Sequence, residues 1–204
     1  MQITVVGLGG LGSWIAEGLV RSGFLNLILC DYDVVSKSNL SRQNYTSRDI
    51  KLPKVKAIQD RLKSINSSVD IEIFGKVDST NVEELFLRSD LLIDATDNLE
   101  TKYLINKFSV KLNKKWIFSA VSGQLGYVCL IDPSKFCLNC FYGSKSENVG
   151  NTPIETVWIT SSLVITLVKK YLRGEHDNFL YHIHSMNIDK IRIKRKKSCP
   201  ICSY

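Results

Sequence analysis

The tightest constraint on this chain is its opening. A β-rich apolar run, Ile3-Thr4-Val5-Val6, breaks into Gly7-Leu8-Gly9-Gly10-Leu11-Gly12-Ser13 and passes into a helix-compatible stretch from Trp14 to Arg21. A strand that turns through glycines straight into a helix places bare backbone N–H groups and a positive helix end at one spot, which suits a phosphate. A second strand, Leu27-Ile28-Leu29-Cys30, delivers Asp31 nineteen residues past Gly12. That is where a carboxylate meets a ribose hydroxyl in a dinucleotide-binding βαβ unit. The bland alternative is a tight βα turn that needs glycine for steric reasons alone. Strand, glycines, helix, strand and acid in this order favour a nucleotide.

The residues after Asp31 address which nucleotide. Asp31-Tyr32-Asp33-Val34-Val35-Ser36-Lys37-Ser38-Asn39-Leu40-Ser41-Arg42-Gln43 sets an amide and a guanidinium shortly after the strand end. Backbone amides usually satisfy the pyrophosphate of a nicotinamide cofactor. A triphosphate about to lose pyrophosphate carries more charge and calls for cationic side chains. With these residues in view the chain resembles the ubiquitin-activating-type adenylyltransferases, in particular the small ThiF/MoeB/HesA group.

The size allows one sizeable core, and one α/β domain over residues 1–204 is the economical reading. Met1 and Gln2 run directly into the first strand without a basic or apolar leader, so a cytoplasmic protein is expected. The most apolar later stretch, Val157 to Leu172, is broken by Thr160, Ser161, Ser162, Thr166, Lys169 and Lys170, and reads as a buried or interface helix rather than a membrane span. The net charge of +7 partly reflects Lys190 to Lys197, where Ile191 and Ile193 alternate with cations. That pattern suits the solvated face of a half-exposed strand. Nucleic acid is the minor reading of the charge, and an acidic protein partner fits it equally well.

Pro53 opens a helix running to about Ile65, with Val55, Ile58, Leu62 and Ile65 on one face. Lys54, in its first turn, opposes the helix dipole by about 0.3–1 kcal/mol. It is either a plain surface lysine or one that reaches a phosphate. Strand three is expected at Val69 to Phe74, a short helix at Asn81 to Arg88, and strand four at Leu91-Leu92-Ile93, ending in Asp94-Ala95-Thr96-Asp97-Asn98. Asp97 with Glu100 makes a fair helix cap. Asp97 also stands at the C-terminal end of a central parallel strand, where open α/β sheets hold ligands. A helix from Leu99 to about Leu112 precedes strand five, Trp116-Ile117-Phe118; Ser119 to Gly126 resembles the family's small-residue bend and opens the strand Tyr127 to Ile131. A loop is expected over Ser144 to Thr152, a helix over Glu155 to Arg173, and closing strands at about Phe179 to His184 and Ile188 to Lys194. His182 and His184 share a strand face, but sequence places no carboxylate or cysteine near them. They and His176 read as ordinary surface or packing histidines.

Six cysteines in a chain of intracellular appearance read as metal or core before disulfide. Cys30 and Cys129 sit inside apolar strands and are simplest as core thiols; in a strand, Cys30 would face away from Asp31. Cys137-Leu138-Asn139-Cys140 and Cys199-Pro200-Ile201-Cys202 form two Cys-x-x-Cys knuckles. Four thiolates in two knuckles match a tetrahedral structural zinc site. Cys199 follows Cys140 by 59 positions, too far for a single zinc finger, which implies a clamp fixing the tail to the body. Independent surface pairs or disulfides are the alternative.

The resemblance covers nearly the whole chain. It implies a doubly wound, Rossmann-like α/β sheet with a C-terminal β extension and a four-cysteine zinc clamp, with ATP lying across the C-terminal ends of the strands. Gly9, Gly10 and Gly12 would approach the phosphates, and Asp31 would hold the ribose. Ser38, Asn39, Arg42 and Lys54 would meet the triphosphate, and Asp97, with Asn98 beside it, would bind magnesium. Arg42, Lys54 and Asp97 would be the catalytic set. The implied substrate is the C-terminal Gly-Gly carboxylate of a small ubiquitin-like or sulfur-carrier protein, and a homodimer is implied. Two departures stand out. Relatives that form a thioester carry a cysteine after the first knuckle, whereas Phe141 to Ile159 contains none. Adenylyltransferases of the family place an arginine on an N-terminal extension, whereas this sequence opens on the first strand, so either another arginine replaces it or the chain is a reduced member. A nicotinamide-dependent oxidoreductase would account for the glycines and Asp31 but leaves Asn39, Arg42, Lys54, Asp97 and the knuckles unexplained. A zinc-stabilised binding module that has lost catalysis is the third reading.

Overall fold

The computed structural model describes residues 1–143, 152–185 and 187–203. The loop expected over Ser144 to Thr152 lies outside them except for Thr152. The parallel strands β1 (Gln2–Val6), β2 (Asn26–Cys30), β3 (Asp70–Phe74), β4 (Leu91–Asp94) and β5 (Trp116–Ser122) are followed by antiparallel β6 (Leu125–Ile131), β7 (Phe179–His184) and β8 (Asn187–Arg192). They form one sheet of eight strands in the order β3-β2-β1-β4-β5-β6-β7-β8. The helices are α1 (Gly10–Arg21), α2 (Lys54–Ile65), α3 (Val82–Arg88), α4 (Leu99–Leu112) and α5 (Ile154–Leu172).

Strand alternation divides the core in two. Ile3, Val5, Leu27, Leu29, Leu91, Ile93, Ile117 and Leu130 pack on one face with residues of α1, α2 and α5, such as Ile15, Ile58 and Val164. Val6, Ile28, Leu92, Trp116, Phe118, Cys129 and Ile131 pack on the other with Val82, Leu85 and Phe86 of α3, Ile105 of α4 and the four knuckle cysteines. Both faces of the central strands are buried, which is why they read as nearly continuous apolar runs, with Thr4, Asp94 and Ser119 as the buried polar exceptions. The sheet is doubly wound as expected. The order in which strands are laid down reverses between β1 and β4, and such a switch point opens a crevice at the strand ends. Among the described residues, no helix is long and apolar enough to cross a membrane.

Several boundaries move. α1 begins at Gly10, four residues before Trp14, so the last glycines are helical. Ser119 to Ser122 continue β5, and the bend expected over Ser119 to Gly126 is a two-residue hairpin turn, Gly123-Gln124, with Ser122 opposite Leu125. The small residues answer to packing instead: a Cβ on Gly126 would lie 2.2 Å from Thr160 Oγ1 of α5. The last strand runs Asn187–Arg192, and every residue of it is exposed.

Candidate active site

The turn after β1 is tight. Gly7 has φ +84°, and a Cβ on Gly12 would sit 1.7 Å from the Gly7 carbonyl oxygen. Gly12 is therefore required sterically and, unlike Gly9 and Gly10, does not line the cleft at this end of the sheet. α1 opens with no side-chain cap and no acidic residue in its first turn, so its N-terminal N–H groups keep their positive potential. The Leu8 N–H donates to Asp31 Oδ2 at 2.6 Å, and the Asp33 N–H donates to Asp31 Oδ1 at 2.8 Å. These bonds tie the glycine turn to the end of β2 and aim the carboxylate.

At the C-terminal ends of β1, β2 and β4 lies a cleft of about 360 Å³, lined among others by Gly9, Gly10, Asp31, Asp33, Arg42, Lys54, Asp97 and Asn98. Lys54 is only 6% exposed, and its Nζ donates to Asp33 Oδ2 at 2.8 Å. It is thus no free surface lysine. Arg42 is half-buried and forms no ion pair among the described residues. Asp97 is exposed and makes no hydrogen bond there either. The cap of α4 is its neighbour: Asn98 Oδ1 accepts the Thr101 N–H at 3.1 Å. The capping role read for Asp97 belongs to Asn98, which leaves the Asp97 carboxylate uncommitted.

Ser38 and Asn39 stand outside the cleft lining. Asn39 Oδ1 accepts the Ser36 N–H at 3.0 Å, and Ser36 and Ser38 bond through their hydroxyls at 2.8 Å, closing the 3₁₀ turn Lys37–Ser41. Cys30 lines the cleft together with Asp31 although the strand rule set them on opposite faces. β2 ends at Cys30, so alternation does not extend to Asp31. Cys30 and Cys129 are buried, and burial pushes both thiols far above their ordinary range.

Sequence reading passed over four cleft groups. Asp33 holds Lys54. Gln43, 7% exposed, has an Oε1 with no partner among the described residues. Lys102 is 2% exposed, forms part of the cleft floor, and donates to Asp94 Oδ2 at 3.0 Å and to the Ser119 carbonyl at 2.9 Å. Lys76 adds a cation at the rim, 5.8 Å from the Tyr32 ring centre. A lysine in the first turn of a helix or a loop aspartate carries no periodic signal, so only the fold could place them.

The knuckles meet on the α4 face. Asn106 of α4 accepts the Leu138 N–H at 2.8 Å and donates to Asn139 Oδ1 at 2.8 Å, fixing the first knuckle. Arg195 donates to the Pro133 and Ser134 carbonyls at 2.9 and 2.8 Å and brings in the second. Cys137 and Cys199 Sγ are 3.6 Å apart, Cys140 and Cys202 Sγ 3.5 Å, and the four sulfurs lie within 4.8 Å of one another. Four thiolates at about 2.3 Å from a tetrahedral zinc stand about 3.8 Å apart, so the buried set fits that ion. None of the six cysteines is in a disulfide.

The chain matches the ThiF family over residues 1–201. It is 36% identical over 186 residues to the sulfur carrier protein ThiS adenylyltransferase of Bacillus subtilis, covering 85% of this chain and 55% of that protein. It is 29% identical to the sulfur carrier protein adenylyltransferase of Thermus thermophilus, covering 98% of this chain and 82% of that one. The chain therefore spans about half the length of the Bacillus relative and most of the Thermus one. Among solved structures, E. coli MccB crystallised with ATP superposes with a TM-score of 0.85 at 22% identity, over 100% of this chain and 67% of MccB, a likeness of fold. With the family match running nearly end to end, the chain belongs to the ThiF family.

Proposed function

We propose that the chain is an ATP-dependent adenylyltransferase that activates the C-terminal carboxylate of a small ubiquitin-like or sulfur-carrier protein ending in Gly-Gly, and that its reaction stops at the acyl-adenylate. The observation that carries this reading is the convergence of Asp31, Arg42, Lys54 and Asp97 on one cleft at the sheet's switch point. A polyphosphate suits that set: uncapped N–H groups of α1 and two cations face it, with an unpaired carboxylate opposite. In this reading the N–H groups near Gly9 and Gly10 receive phosphate oxygens, and Asp31, already aimed by the Leu8 N–H, accepts from the ribose. Lys54 exchanges Asp33 for the triphosphate, and Arg42 neutralises charge that grows on the leaving pyrophosphate. Asp97 is the hard oxygen ligand for magnesium, which when bound supplies further charge neutralisation.

The carrier's terminal carboxylate is ionised at neutral pH. Its oxygen forms a bond to the α-phosphorus as the bond to pyrophosphate breaks, and no general base is required; positioning and electrostatics provide the acceleration. A thioester step needs a reachable thiolate. All six cysteines are buried: four form the zinc set, and the thiols of Cys30 and Cys129 are pushed up by burial, which supports a reaction ending at the adenylate. The zinc is structural, since four thiolates leave no open position. We place the enzyme in the cytoplasm as a homodimer, a setting that suits its unpaired thiols.

The test is ATP–pyrophosphate exchange against a panel of small proteins ending in Gly-Gly. Exchange with one of them supports the assignment. Binding of NAD in preference to ATP, with no exchange across the panel, overturns it.

A further inference from the structure

The β7–β8 hairpin brings together three metal-ligating side chains far from the cysteine clamp. His182 lies directly opposite Asp189 in the strand register, and His184 is opposite Asn187. With a spacing of two, His182 and His184 point to the same face of β7. One ligand atom from each of His182, His184 and Asp189 lies within 4.8 Å of the others. His184 Nε2 and Asp189 Oδ2 are 2.7 Å apart, and the two imidazoles are 5.0 Å apart between centres, tilted by 32°. The His182 ring is held by a parallel stack on Tyr127, 4.8 Å between centres and 8° between planes. Its Nε2 is shielded from solvent and has no partner among the described residues.

We infer that His182, His184 and Asp189 form a second metal site, specific for a borderline divalent ion of the zinc class and independent of the four-cysteine set. Two imidazoles and one carboxylate are a donor set that zinc prefers and that magnesium or calcium does not. The stack on Tyr127 fixes one imidazole before the ion arrives, and the cross-strand register fixes the carboxylate. The shielded His182 nitrogen, which has no protein acceptor or donor to leave, gains a partner on binding. His184 exchanges its hydrogen bond to Asp189 for a shared ion. Three protein ligands leave a fourth position, and the Asp189 side chain, 60% exposed, places that position at the solvent side. The ion held here therefore exchanges readily, unlike one enclosed by four buried thiolates. The site also lies one ring away from the cleft, because Tyr127 lines it.

Zinc content and cobalt spectra test this on the full chain. Purified protein equilibrated with micromolar Zn²⁺ should carry two zinc ions, one removed quickly by EDTA and one retained. His182→Phe keeps an aromatic ring for the Tyr127 stack, and Asp189→Asn keeps the shape of the carboxylate. Each should lose the EDTA-labile ion while retaining the other and the wild-type melting temperature. Co²⁺ added to protein that retains only its tight zinc should give d–d bands without thiolate charge transfer in the wild type, and neither in His182→Phe. One zinc per wild-type chain under these conditions would overturn the inference, as would a labile ion that persists in both variants.

Discussion

The buried pair beneath the cleft yields a stability prediction that can be worked from geometry. Lys102 and Asp94 have side chains that are 3% and 0% exposed, with Nζ and Oδ2 3.0 Å apart. The ammonium also donates to the Ser119 carbonyl at 2.9 Å and lies 5.1 Å from the Phe118 ring centre. Asp94 Oδ1 receives the Thr96 N–H and hydroxyl at 3.0 and 2.7 Å. Lys102→Met keeps the volume of the stem and removes the charge, leaving a buried carboxylate without its cation. Removing one partner of such a pair costs about 3–5 kcal/mol. For a domain of this size each kcal/mol shifts Tm by roughly 2–4 °C, so the fall should be about 10 °C. Asp94→Asn should cost a similar amount, because it strands the ammonium. The double variant Asp94→Asn with Lys102→Met should lose clearly less than the sum, since neither charge is then left alone. Thermal unfolding followed by circular dichroism at pH 7 reads all three. Well below Tm, ATP affinity of Lys102→Met should stay within a few-fold of wild type, as both acceptors of the ammonium are protein atoms. A Lys102→Met protein melting within a degree of wild type, or strictly additive losses, would refute the argument that this pair is coupled in the core.

Four further predictions concern the site and its supports. Arg42→Ala should lower pyrophosphate exchange by about 10²–10³ with Tm unchanged, because it deletes a charge-assisted contact rather than core; unchanged exchange would remove Arg42 from the reaction. Cys199→Ser should release the EDTA-resistant zinc and lower Tm, as read by elemental analysis and melting, whereas a retained ion would show that the cysteines do not hold it. Incubation with ATP, magnesium and the cognate carrier should give adenylate and no reductant-sensitive adduct on a non-reducing gel; an adduct abolished by Cys30→Ser would show that catalysis goes further. Stability should also fall in acid through Glu17. Burial on its own raises that carboxyl, but Arg61, Asn44 and Arg21 outweigh it and hold the group at about 2, below its ordinary 4.5. A depressed carboxyl contributes stability above pH 4.5 that drains away as pH falls towards 2, on the order of 2 kcal/mol once screening at the half-exposed Arg21 is discounted. Glu17→Gln should flatten that part of the urea-denaturation profile, and an unaltered slope would exclude the group.

What could be read in advance followed from chain periodicity and backbone constraint. Ile3 to Val6 and Leu27 to Cys30 are apolar but for Thr4 because both faces of the sheet are covered there, and the glycine turn declares itself because a Cβ at Gly12 has nowhere to go. The knuckles were legible because thiolate pairs at that spacing carry one chemistry above others. The bend after Phe118 was legible only in part. Its turn is confined to Gly123-Gln124, with Gly123 at φ +55°, while Ser119 and Gly126 answer to the buried polar floor and to the close approach of α5. The cap at Asn98 rather than Asp97 depended on a one-residue choice that local sequence leaves open. Asp33, Lys102 and the His182–Asp189 pairing depend on tertiary placement: each residue looks like solvent-facing polarity until sheet register or helix placement supplies its partner.

Lys54 shows how partners supplied by the fold bear on chemistry. A buried ammonium needs a counter-charge, and without nucleotide Asp33 provides one at 2.8 Å. The Asp33 side chain is 51% exposed, so it can return to water at little cost when an anion takes its place. On the proposed reading, the dipole penalty for a cation at the start of α2 would fall away in the same exchange, since an anion would then neutralise the lysine that opposed the helix end. Asp33→Asn then makes two opposed demands on one residue visible. It removes the competitor for Lys54, which should tighten ATP binding several-fold, yet it leaves the buried ammonium unpaired in the empty protein and should lower Tm when no nucleotide is present. Calorimetric titration and melting with and without ATP separate the two. Weaker ATP binding in Asp33→Asn would mean that Asp33 positions Lys54 for the triphosphate instead of competing with it.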